Sequence, residues 1–146
     1  MFVLDTDHIS FLHRGSGSEH DNLRARLAGV PADQISTTIV SFEEQSRGWL
    51  ARVSEAQTKP LPRQVDAYGK LHRHLSNYRM TLVLPFDDAS AVEYERLRIS
   101  RVRVGTLDLR IAAIVLANGA TLLSRNLVDF RQVPSLDVQD WTTPLP

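Results

Sequence analysis

The sequence predicts a single α/β domain built on a mostly parallel sheet of four or five strands. Three observations predict it. Short apolar runs of strand length alternate with longer stretches of helical periodicity, the first such run ends abruptly in carboxylates, and one helix late in the chain is apolar almost all round. A parallel sheet needs helices on both faces, and a helix that is apolar on every side belongs in the interior beside it.

The opening "FVL" is the first strand, and Asp5 stands where that strand meets solvent. "TDHISFLHR" follows as a short helix with Asp7 in its first turn, and the Gly/Ser cluster at 15–18 ends it. "EHDNLRARLAGV" is a second helix, stopped by Gly29 and Pro31. The β-branched stretch "QISTTIV" reads as the second strand. It runs into "SFEEQSRGWLARVSEAQ", where Phe42, Trp49, Leu50 and Val53 mark a helical face for burial. Pro60 and Pro62 interrupt the pattern, and beyond them Val65, Tyr68, Leu71, Leu75 and Tyr78 recur at helical intervals. "TLVLPF" is the third strand and "DDASAVEYERLRIS" a helix with an acidic start. "TLDLRIAAIVLANG" is the interior helix, with Thr106 as N-cap and Asn118-Gly119 as its stop. "ATLLS" gives the fourth strand and "SLDVQDW" a fifth. No repeat, linker or low-complexity segment divides the chain, so residues 1–146 form one domain.

A chain of 146 residues can bury a core without disulfides or a structural metal. The absence of Cys excludes thiol nucleophiles, cysteine zinc sites and disulfide frameworks, and suits a reducing cytoplasm. The first apolar run stops at Asp5 with no basic stretch before it, and no segment has the length of a bilayer span. The expectation is a cytoplasmic protein with no membrane attachment. Lys and Arg number 17 against 17 Asp and Glu, so any nucleic-acid binding must come from local clustering, of which Arg98, Arg101 and Arg103 are one example.

Ligands of parallel sheets bind at the carboxyl ends of the strands. Asp5, Glu44 and Asp108 occupy matching places there, and Asn126 and Asp129 follow the fourth strand in the same position. A first-turn acid is also favoured by the helix dipole, by about 0.3–1 kcal/mol, which accounts for Asp7, Asp88 and Glu43 as helix-end residues. Carboxylates within about 4–6 Å of one another raise each other's pKa unless a cation intervenes, and a hard divalent ion is the natural one. The hydroxyls of Thr6 and Ser124 lie near the same place, where they could orient water or phosphate, or simply serve turns. His72 and His74, two apart on a helix, point to different faces and read as surface histidines. Ile9, Phe11 and Leu12 offer either core or an apolar surface for a partner helix beside the acids.

"FVLDTDHIS", "ISTTIVSFEEQSRGWL" and "VGTLDLRIAAIVLANGATLLSRNLVDFRQVPSL" together resemble a PIN domain, specifically the VapC-like toxin ribonucleases of bacterial toxin–antitoxin pairs. The resemblance follows the family's order over most of the chain and is weakest between Ala56 and Met80. It implies a three-layer α/β/α domain that cleaves RNA phosphodiester bonds as a metal-dependent endoribonuclease. Mg²⁺ or Mn²⁺ would be held by Asp5, by Glu44 with Gly48 four residues on, and by Asp108 in "GTLDLRIAA". Asn126 falls where the pattern often has Asp or Asn, and Asp129 could add charge through a water. Thr6, Asp7 and Ser124 would support these ligands, and Arg98, Arg101 and Arg103 would bind the RNA backbone. The implied partners are RNA, an antitoxin from a neighbouring gene and a second copy of the chain. Two other readings compete. "FVLDTD" also fits a haloacid-dehalogenase-like phosphatase with Asp5 as nucleophile and Asp7 as general acid. Against it, Asp87 and Asp88 precede Ser124 instead of following it, and no Lys follows Ser124. A non-catalytic PIN-fold module that binds RNA or protein is kept open by Asn126.

Overall fold

A computed structural model describes all 146 residues. Strands β1 (Phe2–Leu4), β2 (Ile35–Thr38), β3 (Val83–Leu84), β4 (Thr121–Leu123) and β5 (Asp137–Gln139) form one sheet in the order β3-β2-β1-β4-β5. Every neighbouring pair is parallel. Seven helices connect them: α1 (Thr6–Arg14), α2 (Ser18–Leu27), α3 (Ile39–Ala56), α4 (Leu61–Arg79), α5 (Asp88–Ile99), α6 (Thr106–Ala117) and α7 (Leu127–Phe130). The chain is α/β, as predicted, and its sheet is parallel throughout.

Both faces of the central strands β1 and β4 are buried in core. In β1 and β4, Val3 pairs in register with Leu122 and Leu4 with Leu123. Successive side chains of a strand point to opposite faces. Val3 and Leu122 accordingly join a core of 13 residues with α6 and Leu97, whereas Leu4 and Leu123 join a second core of seven with Ile9, Leu23, Leu27 and Trp141. Residues Ile111 to Val115 of α6 are completely buried, which explains the all-round apolar sequence. Each such aliphatic side chain larger than Ala stabilises the fold by roughly 1.5–3 kcal/mol.

Several local expectations are corrected. β2 stops at Thr38, whose hydroxyl caps α3 by accepting from Ser41 N, so Ile39 and Val40 are helical despite their β-branches. Val40 gains a place in the larger core that way. Gly105, not Thr106, is the N-cap of α6, and no side chain caps that helix. Ile9 is fully buried and Leu12 packs against the smaller core, so neither makes a free apolar surface. His74 is buried as well, with Nε2 2.8 Å from Ser46 Oγ and its ring stacked on Phe42. Its burial follows from the packing of α3 on α4, where Ala67, His74 and Tyr78 face inward.

From β1 the chain builds outward through β2 to β3, then crosses to the other side of β1 to lay down β4 and β5. The direction of winding therefore reverses between β1 and β4. The crevice at their carboxyl ends is the place where such sheets bind ligands.

Candidate functional site

Asp5 leaves β1 and caps α1 at that crevice. Its Oδ1 accepts from Thr6 N at 2.7 Å and its Oδ2 accepts from Ser124 Oγ, at the end of β4, also at 2.7 Å. The main chain fixes it further, since Asp5 N donates to Leu123 O. The side chain is only 6% exposed. Burial pushes its pKa from 3.8 up to about 7, with help from the charges of Asp7 and Asp108 and against the hydrogen bonds from Ser124 and Thr6.

Glu44 and Asp108 complete the group. Glu44, in the second turn of α3, accepts from Thr6 Oγ1 at 3.1 Å, so the residue after Asp5 holds the second acid. Its carboxyl is pushed up by burial and by Asp108 and Glu43. Asp108 lies in the first turn of α6 and is pushed up by burial, by Asp129 and by Asp7. Asn126 stands between two acids. Its Nδ2 donates to Asp129 Oδ2 at 3.0 Å and, more weakly, to Asp108 Oδ2 at 3.4 Å, while Asn126 N donates to Ser124 Oγ. Ser124 thus links Asp5 to the Asn126 end of the site.

No Lys or Arg pairs with Asp5, Glu44, Asp108 or Asp129. Burial first, and the charge of neighbouring acids after it, hold the carboxyls of Asp5, Glu44 and Asp108 above their usual range. No three Asp, Glu, His or Cys side chains gather tightly enough to hold an ion by themselves. The donors are nevertheless all hard oxygens. A small divalent cation keeps several of its waters and takes one or two protein carboxylates, which this set can provide.

Asp7 differs from Asp5. Its Oδ1 accepts from His8 Nδ1 at 2.6 Å and its Oδ2 accepts from Arg125 N at 2.9 Å. His8 is completely buried, and its Nε2 accepts from Trp141 N, which places the ring proton on Nδ1. This Asp7–His8–Trp141 tie joins the start of α1 to the C-terminal segment, and sequence reasoning missed it because its partners lie up to 133 residues apart. Asp87 caps α5 by accepting from Ser90, and Asp88 lies in the first turn of that helix, so both are helix-end residues. Arg98 is held by Glu95 in a two-pronged ion pair, while Arg101 and Arg103 sit in the connection from α5 to α6.

No family model matches the chain, and no curated protein matches it. Solved structures do. The chain superposes on a structure of VapBC2 from Rickettsia felis bound to a promoter DNA fragment with a TM-score of 0.70 at 22% identity, covering 96% of this chain and 98% of the other. For VapBC-1 from nontypeable Haemophilus influenzae the TM-score is 0.71 at 20% identity, with 97% and 98% covered. For FitAcB from Neisseria gonorrhoeae it is 0.68 at 19%, with 96% and 97% covered. End-to-end superposition at such low identity is a statement about architecture, and the architecture is the PIN-like α/β/α fold, shared also with a toxin–antitoxin complex from Klebsiella pneumoniae at a TM-score of 0.67 and 16% identity, with 99% and 100% covered.

Proposed function

We propose that the chain is a metal-dependent endoribonuclease and the toxin of a toxin–antitoxin pair. The observation that carries this reading is the convergence of Asp5, Glu44 and Asp108, all with raised pKa values and no basic partner, at the winding reversal of a parallel sheet. The fold shared with toxin–antitoxin structures supports it.

Asp5, Glu44 and Asp108 would hold Mg²⁺ or Mn²⁺, with Asn126 or Asp129 at the margin. When bound, the ion supplies charge to a phosphodiester and makes a coordinated water more acidic. The protein's own part is orientation. Ser124 and Thr6 N fix both oxygens of Asp5, Thr6 Oγ1 fixes Glu44, and Asn126 steadies Asp108 and Asp129. The phosphatase alternative would need Asp7 as a proton donor to substrate. Both oxygens of Asp7 instead accept hydrogen bonds from the protein, which ties that side chain to the scaffold.

An antitoxin would silence the site with a basic side chain near Asp5 and Asp108 and an apolar helix beside it. A second copy of the chain is the other proposed partner. The test is RNA cleavage by the purified chain, with and without the neighbouring gene's product. Mg²⁺ or Mn²⁺ should restore activity lost on chelation, and Asp5→Asn should remove it. Full Mg²⁺-dependent cleavage by a folded Asp5→Asn chain refutes the assignment.

A further inference from the structure

Beside the acidic crevice, α1, α3 and α4 enclose an open cavity of about 330 Å³. Its walls carry Arg14, Lys70 and Arg73, no acid, and a single apolar residue, Trp49. In a chain of zero net charge this is a marked local excess of positive charge. Arg14 and Arg73 take part in no ion pair; Lys70 shares the exposed Asp66. His13 and His74 also line the cavity. Burial, with His74 alongside, lowers the pKa of His13 to about 4, so at neutral pH the arginines and the lysine supply the field.

The cavity backs directly onto the acids. Gln45, next to Glu44, donates to Ser10 Oγ at 2.6 Å, and Ser10 Oγ donates to Thr6 O, also at 2.6 Å. Ser10 and Gln45 line the cavity, and Thr6 and Glu44 belong to the crevice, so the two lie along one seam between α1 and α3. Arg14 follows Thr6 by about 12 Å along α1 at the usual helical rise. A strand crossing the acids has only a short way to go before its next phosphates meet this field.

We propose that this cavity is a subsite for the phosphates of the RNA strand flanking the scissile bond, bound by Arg14, Lys70 and Arg73 with Trp49 as a stacking wall. The proposal rests on the ribonuclease reading and deepens it. Cationic grooves interleaved with an aromatic face are how proteins hold single strands without reading sequence. An apolar partner helix fits poorly, because eight of the nine lining residues are polar or charged.

The experiment uses the full-length chain with Asp5→Asn to stop cleavage, and a fluorescently labelled single-stranded RNA titrated across a salt series in Mg²⁺. Adding Arg14→Ala with Arg73→Ala should weaken binding about tenfold or more and lower the salt slope by roughly 0.7 for each lost phosphate contact. Adding Trp49→Leu alone should weaken it severalfold with the slope unchanged. Melting curves of each variant verify the fold. Equal affinity and slope with and without the two arginines overturns the subsite while leaving the nuclease reading intact. Failure of the Asp5→Asn parent to bind RNA overturns both. Loss of antitoxin binding in the double variant with RNA binding retained assigns the cavity to the protein partner, and overturns the proposal.

Discussion

Asp5 and Asp7 are separated by one residue and meet opposite surroundings, and the difference is measurable. The folded chain keeps a proton on Asp5 over a range where the unfolded chain has lost it, because burial lifts the pKa from 3.8 to about 7. The associated stability is fully present below pH 3.8 and is lost as pH rises through about 7. Asp5→Asn removes that loss, and Ser124 can turn its hydroxyl to accept from the new amide. In metal-free buffer the variant should therefore melt near the wild-type temperature at pH 4 and several degrees above it at pH 8. Mg²⁺ should raise the melting temperature of the wild type and not of the variant; equal shifts would mean that the ion binds elsewhere. Asp7→Asn should behave in the reverse way. It keeps one acceptor for two donors, so it should cost about 1–2 kcal/mol of stability in denaturant titrations and leave RNA cleavage largely intact. The acids were legible in the sequence because each ends a strand or opens a helix. Their supports were not: Ser124 is 119 residues from Asp5, and only the pairing of β4 with β1 brings them together.

Elements were legible where apolar runs and stop signals agreed, as in α6 with Asn118 and Gly119 behind it, the latter at φ 57°. They were obscured where tertiary packing overrode propensity, as at Ile39 and Val40, or where an element was as short as α7. The pairing of α3 with α4 carries its own prediction. His13, on α1, meets Tyr78 edge-on, and His74 packs between Phe42 and Tyr78. Burial lowers the pKa of both, His13 from 6.5 to about 4. Here the unfolded chain takes up the proton first, so the stability is present above pH 6.5 and is lost as pH falls through about 4. This is opposite in sign to Asp5. Amides of α4 facing α3 should exchange faster with solvent at pH 5 than at pH 7 after correction for intrinsic rates, and His74→Gln should flatten that difference. Uniform protection across the range would show that the hairpin does not depend on these rings.

At the scale of the whole molecule, the helical periodicity of α4 identified a genuine apolar face but not its fate. Val65, Tyr68 and Leu75, which recur at helical intervals, remain 71%, 53% and 55% exposed. Leu50 on α3 is exposed with them, and Phe42, Leu50, Tyr68, Leu71 and Leu75 line an apolar groove. A sequence pattern states that a face is apolar; it cannot state whether the same chain covers it. A contiguous apolar patch left open in this way is characteristic of a surface that another chain covers. In the proposed function, the antitoxin's apolar helix would find Ile9 and Leu12 taken up by the core and the α3–α4 hairpin open. The two locations predict different outcomes. Leu12→Lys should lower the melting temperature, because it places a charge against packed core. Tyr68→Lys with Leu75→Lys should leave the melting temperature of the isolated chain almost unchanged and preserve Mg²⁺-dependent cleavage, since both side chains are already in solvent. Co-purification of the double variant with the antitoxin should nevertheless fall at least tenfold, and RNA cleavage should escape inhibition. If the double variant is still captured and silenced like the wild type, the hairpin is not the antitoxin's seat, and sedimentation of the isolated chain would then show whether a second copy occupies it.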